Sequence, residues 1–459
     1  MLKKIGISKN TFRELFVIAM PMVVSQGAFA LMMFTDRLFM SKIDPAHMAA
    51  ALGGGVAAFF SLSLFMGTLS YANALVAQYF GAGSFEKCPK VLSQGLILCL
   101  LSTPIILLLG YLLSDIFVAM GHTEAQAELE FSYYQVLMWG ASFTLAKACI
   151  ASYFAGIGRA RVVMIADVTG VLVNVPLSWA LIFGHAGFPE LGLVGAALGT
   201  VISTIFTLAL YGVYYFSKEH RETFKVDNSF VYDKRILKRF LRLGLPSGVE
   251  MFLNVAAFNL FLLMFQSYGV VAGASAAIVF NWDMMSFVPM IGLNIGIISL
   301  IGRYVGAQNM SKTNEVIRAS FLIALSYSGL LMVLFITMRA SLVDLFLSAG
   351  GDYQEIHDLA SYMMLGLSSY VMADAIILVS GGVLRGAGDT RWLMIASVSL
   401  HWAMLIAQYV VIKVLVLGPR TAWIIFVAML LSIAAVYLLR LLGGAWRTEE
   451  ALKGVMVEH

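Results

Sequence analysis

Long apolar runs, separated by short polar or glycine-containing breaks, make up most of the sequence. A helix needs about 20 apolar residues to cross the hydrocarbon core of a bilayer, and more if it is tilted. Twelve runs meet that need, at residues 12–41, 47–80, 91–113, 128–156, 162–184, 191–217, 238–266, 271–303, 317–337, 356–385, 391–414 and 422–441. The longest runs predict tilted or kinked helices, and Pro21, Pro176, Pro246 and Pro289 are the candidate kink positions.

The composition favours a membrane protein and excludes several other classes. Of the 459 residues, 60% are hydrophobic and 12% are charged, against about 25% charged residues in an ordinary soluble protein. A soluble protein of this size would lack the polar residues needed to cover its surface. Disordered chains, secreted disulfide scaffolds and nucleic-acid-binding proteins are therefore excluded. The three cysteines, Cys88, Cys99 and Cys149, form no disulfide framework, and those in apolar runs are expected to be buried thiols.

The positive charges predict the orientation of the spans. If the N-terminus lies in the cytoplasm, 24 of the 30 Lys and Arg residues fall on cytoplasmic segments. Such an asymmetry agrees with the positive-inside rule. The first run is not expected to be a signal peptide, because its apolar pattern continues past residue 40. We therefore expect a multi-pass protein of a bacterial-type inner membrane, with both termini in the cytoplasm.

The chain contains an internal repeat, and its halves flank the longest polar segment, Lys218 to Arg242. Three motifs recur in the same order, at offsets of 225, 225 and 230 residues: Ala19-Met20-Pro21 with Gly244-Leu245-Pro246, Tyr79-Phe80-Gly81-Ala82 with Tyr304-Val305-Gly306-Ala307, and Gly156-Ile157-Gly158-Arg159 with Gly386-Ala387-Gly388-Asp389. Repeats of equal topology imply lobes related by an axis along the membrane normal. We predict an all-α integral membrane fold of twelve transmembrane helices in two pseudo-symmetric six-helix lobes, at residues 1–217 and 238–441, with a cytoplasmic linker (218–237) and tail (442–459).

This architecture predicts a transporter. Two facing six-span lobes are a common arrangement for alternating access, with the substrate site near the midplane. The enzyme signatures HExxH, GxSxG and GxGxxG and the Walker A motif are missing from the sequence. We therefore do not expect an enzyme. A membrane-embedded enzyme or receptor is the alternative from another class.

Four acidic residues inside the predicted spans are the first functional candidates: Asp36, Glu250, Asp283 and Asp374. An ionisable group in the membrane is unfavourable by several kcal/mol, so it is a functional candidate by default. Asp374 precedes Arg385 by 11 residues, roughly 16 Å of helix, which places it near the middle of the bilayer. Carboxyl groups that lie together, or beside a cation, can titrate near neutral pH, as coupling to H⁺ or Na⁺ requires.

Neutral polar residues accompany Asp36 in the first lobe. Asn174, Ser178 and Thr200 all carry oxygen atoms and lie in apolar spans. Oxygen ligands suit a hard cation. The alternative for each of the three is an ordinary hydrogen bond between helices.

The second lobe has its own set of companions. Glu250 and Asn254 are four residues apart and share a helix face. With Asp283 and Asp374 they are expected to form one acidic cluster, and Tyr370, one turn before Asp374, is a candidate hydrogen-bond donor to it. Asp36, or Glu250 with Asp374, is the expected position of any bound Na⁺, and we expect no other cofactor. For Asp374 the alternative is a structural hydrogen bond between helices.

Other features have simpler interpretations. Lys147 is expected to extend toward the cytoplasmic end of span four, and Asp167 to offset Arg159 or Arg161. The 26 Met, 31 Phe and 18 Tyr residues suit loose recognition of varied apolar or cationic compounds.

Several motifs are distributed along the chain. They are Pro21 followed by Phe34-Thr35-Asp36, Gln78-Tyr79-Phe80-Gly81-Ala82-Gly83, Gly156-Ile157-Gly158-Arg159, Asn174 with Pro176, Gly192-Leu193-Val194-Gly195-Ala196-Ala197-Leu198-Gly199-Thr200, and Arg385-Gly386-Ala387-Gly388-Asp389-Thr390. Together they resemble the motifs of the multidrug and toxic compound extrusion (MATE) family, closest in pattern to its NorM-like branch. The resemblance spans nearly the whole chain, and the motifs are specific in combination rather than singly.

The resemblance implies a V-shaped cavity between two helix bundles, and export of cationic or amphiphilic organic compounds driven by inward H⁺ or Na⁺. It implies small organic molecules and the lipid bilayer as partners, and we expect a monomer. The family's first-lobe acid matches Asp36, and its polar companions match Asn174, Ser178 and Thr200. Ser178 departs from the Asp or Asn often found at its position.

In the second lobe, the span-ten acid and tyrosine of the NorM-like branch match Asp374 and Tyr370. That branch commonly has Glu eight residues after the span-seven proline, where this chain has Asn254. Glu250 lies one turn earlier, and we expect it to substitute for the missing acid by sharing a cation site with Asp374.

Two other transporter classes are weighed against this interpretation. A lipid-linked precursor flippase of the same superfamily would need a cationic cavity for pyrophosphate, whereas the intramembrane charges here are mainly acidic. A major-facilitator transporter shares the 6+6 arrangement, but its usual Gly, Asp-Arg and Gly-Arg-Arg loop pattern is replaced by GAGSFEKCPK at residues 81–90.

Overall fold

The computed structural model describes residues 6–43, 45–112, 116–119, 123–347 and 353–453, and the regular elements of these residues are all helices. The first half contains α1 (Lys9–Ser41), α2 (Pro45–Ser70), α3 (Ala72–Gly81), α4 (Lys87–Leu112), α5 (Ile116–Ala119), α6 (Glu124–Trp139), α7 (Ala141–Gly156), α8 (Ala160–Phe183) and α9 (Gly192–Tyr215). The second half contains α10 (Lys218–Phe224), α11 (Lys234–Gln266), α12 (Val270–Gly306), α13 (Met310–Asp344), α14 (Tyr353–Ala387), α15 (Thr390–Tyr409), α16 (Pro419–Gly443) and α17 (Glu449–Lys453). Lys3 and Lys4, two of the predicted cytoplasmic charges, lie outside the described residues.

The predicted fold class is confirmed. Among the described residues, eleven helical segments are long and apolar enough to cross a membrane when α2 and α3 are counted together, and the bent pair α6–α7 makes twelve. Helices α1–α9 form what we call the first lobe, and α11–α16 form the second lobe. The lobe limits predicted from the sequence stay a prediction.

Among the described spans, the one break that is bent by more than 40° falls at a glycine and not at a candidate proline. Helices α6 and α7 meet at 52° across Gly140, where an added Cβ would lie 2.9 Å from Cγ1 of Val201 on α9. Pro21, Pro176 and Pro246, like Pro289, lie inside continuous helices. Close packing against a neighbouring helix therefore favours glycine at the bend.

The spans alternate in direction, which defines two sides of the molecule. Helix α10 and the connections after α3, α7, α9, α12 and α14 lie on one side, which we call the linker side. The C-terminal ends of α1, α8, α11 and α13 lie on the opposite side, the far side. Each candidate residue can therefore be placed by its distance from a helix end.

The backbone reproduces the sequence repeat. Gly158 and Gly388, which are 230 residues apart, both adopt left-handed conformations, with φ of 79° and 92°. In both turns the amide of the next residue, Arg159 or Asp389, donates to the carbonyl oxygen five residues earlier, at 2.8 and 2.9 Å. Because a side chain is disfavoured at such φ values, glycine recurs at the same step of each half.

The predicted linker is folded onto the first lobe. His220 of α10 is buried, and its Nε2 lies 2.9 Å from the hydroxyl oxygen of Tyr153 on α7. The rings of Phe154, Tyr215 and Phe224 surround the imidazole at centroid distances of 5.6, 5.5 and 4.6 Å. Burial and the positive charge of Arg159 lower the pKa of His220 to about 4. The linker is thus part of the packed structure rather than only a topogenic loop.

Candidate functional site

The first-lobe candidates line the interior between α1, α8 and α9. Asp36 is buried near the far-side end of α1, and its carboxyl group interacts with the hydroxyl group of Thr200 on α9. Asn174 and Ser178, one turn apart on α8, are completely buried. Of the described residues' buried side-chain atoms, Asp36 Oδ1, Asn174 Oδ1 and Ser178 Oγ are among those without a hydrogen-bond partner. The structure therefore leaves three oxygen atoms of this set available for a ligand.

The polar interior continues from this site toward the linker side. Asp167 lies seven residues before Asn174 and eleven before Ser178, so all three share one face of α8. The Asn174 amide donates to Ser203 of α9 at 3.3 Å. Eight residues further along α9, the Tyr211 hydroxyl donates to Asp167 at 3.2 Å. Polar contacts between α8 and α9 thus recur at two levels of the lobe.

The linker-side end of this row is an ion pair that the sequence analysis missed. Lys147 Nζ of α7 lies 3.3 Å from Asp167 Oδ1, and Ser25 of α1 donates to the other carboxylate oxygen. The expectation that Asp167 offsets Arg159 or Arg161 was wrong, because Asp167 pairs with Lys147, and Arg159 pairs instead with Glu219 at 2.8 Å. Since α7 and α8 form a hairpin, Lys147, nine residues before the end of α7, and Asp167, seven residues after the start of α8, lie at similar depths. This similar spacing from the turn was the signal that could have revealed the pair.

The second-lobe candidates divide into two groups, of which the first contains Asp283, Tyr370 and Asp374. Asp283 of α12 interacts electrostatically with both Asp374 and Tyr370 of α14. The Tyr370 hydroxyl is buried and has no direct hydrogen bond of normal geometry within the described part of the chain. The structure thus brings two acids and a tyrosine together between α12 and α14.

Glu250 and Asn254 belong to the second group. Arg385 Nη2 donates to Glu250 Oε1 at 2.7 Å, and the Tyr437 hydroxyl lies 3.4 Å from the same oxygen. The Asn254 amide donates to Ser397 of α15 at 2.7 Å. Among the described residues, no hydrogen bond or ion pair joins Glu250 to the first group.

The expected single acidic cluster is therefore not what the structure builds. Asp374 lies three helical turns from Arg385 on α14, and Glu250 lies at the Arg385 level. Because a buried carboxylate is stabilised by the nearest cation, Glu250 is neutralised by Arg385 and is drawn away from Asp374. Within the described chain, no three His, Cys, Asp or Glu side chains lie close enough together to hold a metal ion.

Polar contacts hold the two lobes together on the linker side. Arg303 of α12 donates to Glu14 of α1 at 3.2 Å. Gln78 of α3 donates to the carbonyl oxygen of Gly386 in α14 at 2.9 Å. Glu14 is near the start of α1, and the other three residues are near the ends of their helices. These contacts close the linker side of the interface.

Two six-span lobes, joined on one side and carrying polar groups in apolar interiors, define a membrane transporter. The MatE family model matches residues 21–180 and 246–410, which include most of each lobe. The chain belongs to this family, so the resemblance to MATE proteins is confirmed. The protein is a transporter and not an enzyme, and the major-facilitator alternative is excluded.

Solved structures share the fold at low sequence identity. A multidrug resistance MATE family transporter of the MOP superfamily in an outward-facing conformation has a TM-score of 0.86 at 21% identity, covering 95% of this chain and 97% of that one. A MOP superfamily transporter from Pyrococcus furiosus, whose binding pocket is described as reversed in polarity, has a TM-score of 0.85 at 21% identity and the same coverage. A eukaryotic MATE transporter has a TM-score of 0.85 at 18% identity, covering 97% and 99% of the two chains.

Proposed function

We propose that the protein is an antiporter that exports organic compounds by alternating access, coupled to H⁺ or Na⁺. The observation that carries the proposal is the set of unpartnered buried oxygen atoms on Asp36, Asn174 and Ser178. Buried polar atoms normally have a hydrogen-bond partner. A proton would neutralise the Asp36 carboxylate, whereas a Na⁺ ion bound by these oxygens and Thr200 would satisfy the whole set.

The second lobe is proposed to carry a further cation-responsive site at Asp283 and Asp374. Two neighbouring carboxyl groups in a low-dielectric interior need a proton or a bound cation between them. Tyr370 would donate a hydrogen bond to the ionised form. Glu250 is proposed to be the charge partner of Arg385, with Asn254 joining α11 to α15 through Ser397.

The proposed cycle follows from the closed linker side. In this conformation the coupling ion would enter from the far side and bind the acids. Its binding would favour release of substrate and reorientation, after which substrate would enter from the linker side. Coupling then requires that ion and substrate favour opposite orientations of the lobes.

The substrates are proposed to be cationic or amphiphilic organic molecules, and the protein is proposed to act as a monomer. A solved structure described above is of a multidrug resistance transporter, and acidic interiors attract cations. The linker side, which carries most of the Lys and Arg residues, is proposed to face the cytoplasm of a bacterial-type cell.

Efflux from proteoliposomes tests this function. Vesicles loaded with a fluorescent organic cation receive a pH gradient alone or a Na⁺ gradient alone, and we expect one of the two to drive transport. Asp36→Asn should abolish gradient-driven efflux while the protein stays folded in the membrane. The matched control is Asp227→Asn, since Asp227 is exposed on the linker side.

Three results would contradict the proposal. If efflux does not depend on either gradient, coupling to H⁺ or Na⁺ is excluded. If folded Asp36→Asn protein shows full efflux, Asp36 is excluded as the coupling acid. Transfer of a lipid-linked pyrophosphate without an ion gradient would favour the flippase alternative.

A further inference from the structure

A groove on the lipid-facing surface of the second lobe lies outside both candidate sites. It runs between α13 and the linker-side end of α16 and has a volume of about 650 Å³. Its lining residues are Asn314, Ile317, Arg318, Phe321, Leu322, Leu325, Ser326, Leu441, Leu442, Trp446 and Arg447. None of the interior acids discussed above lines this groove, so its chemistry is separate from ion coupling.

The walls of the groove are apolar over a length that fits an acyl chain. Asn314 and Ser326 mark its ends along α13, and 12 residues of helix extend about 18 Å. Ile317, Phe321 and Leu325 follow one another at helical spacing along this wall. Leu442, one of the lining residues, is 69% exposed and faces outward. The groove therefore opens toward the hydrocarbon of the bilayer.

The linker-side end of the groove is positively charged. Arg318 and Arg447 are both exposed there. Arg447 donates to the Asn314 side chain at 3.4 Å and lies 6.0 Å from the ring centre of Trp446. Arg318 donates to the carbonyl oxygen of Gly6 at 3.4 Å. These contacts hold the two guanidinium groups at the mouth of the same groove.

The charged residues that line the linker-side end of the groove are all positive. The residues that line the groove, all in the described part of the chain, include two arginines and no acid. The nearest acid along α13, Glu315, turns away to Lys312 at 3.1 Å and Thr11 at 2.7 Å. Paired arginines suit a phosphate group.

We propose that this groove binds one anionic phospholipid. The phosphate of the headgroup lies between Arg318 and Arg447, and one acyl chain follows the wall from Ile317 to Leu325. A free phosphate ion would use the arginines but would leave the apolar wall without a ligand. A zwitterionic lipid would fill the wall but would match the paired arginines less well. Of these three ligands, the anionic lipid makes the best use of both parts of the groove.

Native mass spectrometry of the purified, delipidated full-length protein tests the assignment. The protein is titrated with phosphatidylglycerol or with phosphatidylcholine of identical acyl chains, and we expect one tight site for phosphatidylglycerol. A basic residue near an anionic headgroup contributes about 1 kcal/mol, or about fivefold in affinity. Arg318→Gln with Arg447→Gln should therefore weaken that site by about 25-fold, and the corresponding Lys variants should retain most of the affinity.

The controls separate this site from general attraction of anionic lipid. Arg242 and Arg391 are also exposed on the linker side but lie outside the groove, so Arg242→Gln with Arg391→Gln should leave the tight site unchanged. Equal affinity for phosphatidylcholine, an unchanged site in the groove variant, or an equal loss in the control variant would overturn the proposal. Complete displacement of phosphatidylglycerol by inorganic phosphate would also overturn it, in favour of a small-anion site.

Discussion

Gly81 and Gly306 make the same contact in opposite directions across the lobe interface. An added Cβ on Gly81 would lie 2.7 Å from the carbonyl carbon of Arg303, and one on Gly306 would lie 2.8 Å from that of Gln78. The two glycines are 225 residues apart, and so are Gln78 and Arg303. The pseudo-twofold relation between the halves is therefore built into the backbone packing of the closed linker side.

Gly81→Ala and Gly306→Ala should each open the linker side. Inserting a methyl group into a close-packed contact costs about 1–3 kcal/mol, which changes the ratio of closed to open molecules by about five- to 150-fold. Spin labels on cysteines replacing Arg161 and Arg391, exposed residues near the two lobes' matching turns, would report a longer distance. Gly212→Ala is the control, because nothing lies within 4 Å of its added Cβ. Distances that stay as in the unmodified protein in both variants would mean that this contact does not hold the closed state.

Replacing only one residue of the Lys147–Asp167 pair should destabilise the folded protein more than replacing both. Lys147→Met and Asp167→Asn each leave one partner in the interior without its counter-charge, which costs about 3–5 kcal/mol in a fully buried pair. We expect the lower end, because the Lys147 side chain is 26% exposed. The double variant should be less destabilised than the sum of the two singles. Denaturant unfolding in detergent measures all three.

The exposed pair of Arg221 and Asp227, with side-chain exposures of 47% and 62%, is the control for that comparison. Its removal should change the free energy of unfolding by less than about 1 kcal/mol. Full additivity at Lys147 and Asp167 would mean that the two charges do not stabilise each other.

Glu250→Gln and Asp374→Asn should act independently on ion-driven transport. Glu250 is neutralised by Arg385, whereas Asp374 interacts with Asp283. For independent sites the two effects on the transport free energy add to within about 0.5 kcal/mol. The ion dependence of efflux is measured for the two single variants and the double variant. If the effect of the double variant on the transport free energy is clearly smaller than the sum of the two single effects, Glu250 and Asp374 share a site, as expected from the sequence.

The stability of the protein should fall as the pH drops below about 6.5. His220 has a pKa of about 4 in the folded protein, against about 6.5 for an unperturbed histidine. Between pH values of about 4 and about 6.5, the unfolded chain binds a proton at this histidine that the folded chain does not bind. Acid therefore favours unfolding in this range, and the stabilisation is complete only above a pH of about 6.5. Thermal unfolding midpoints at neutral and acid pH measure the effect. His220→Gln should reduce this pH dependence, and a variant with unchanged dependence would assign it to other groups.

Local pattern was enough to predict the spans and the repeat. A stretch of apolar residues crosses a bilayer whatever surrounds it, because the lipid acts as its solvent. Asp36, Asp283 and Asp374 were found in the same way, because a carboxyl group is rare and unfavourable in an apolar helix. The bend at Gly140 escaped prediction because it depends on Val201, which lies on another helix.

The sequence by itself therefore determined the class of protein, the number of spans, the division into halves and the short set of ionisable residues in the membrane. Only the tertiary structure decided which of those residues meet. Depth along a helix follows from residue spacing, but the partner of a side chain depends on the rotation and neighbours of that helix. For this reason Glu250 joins Arg385 rather than Asp374, and Asp167 joins Lys147 rather than Arg159. A buried charge is stabilised by whichever opposite charge the packing brings within a few ångströms, and one-dimensional spacing does not specify that neighbour.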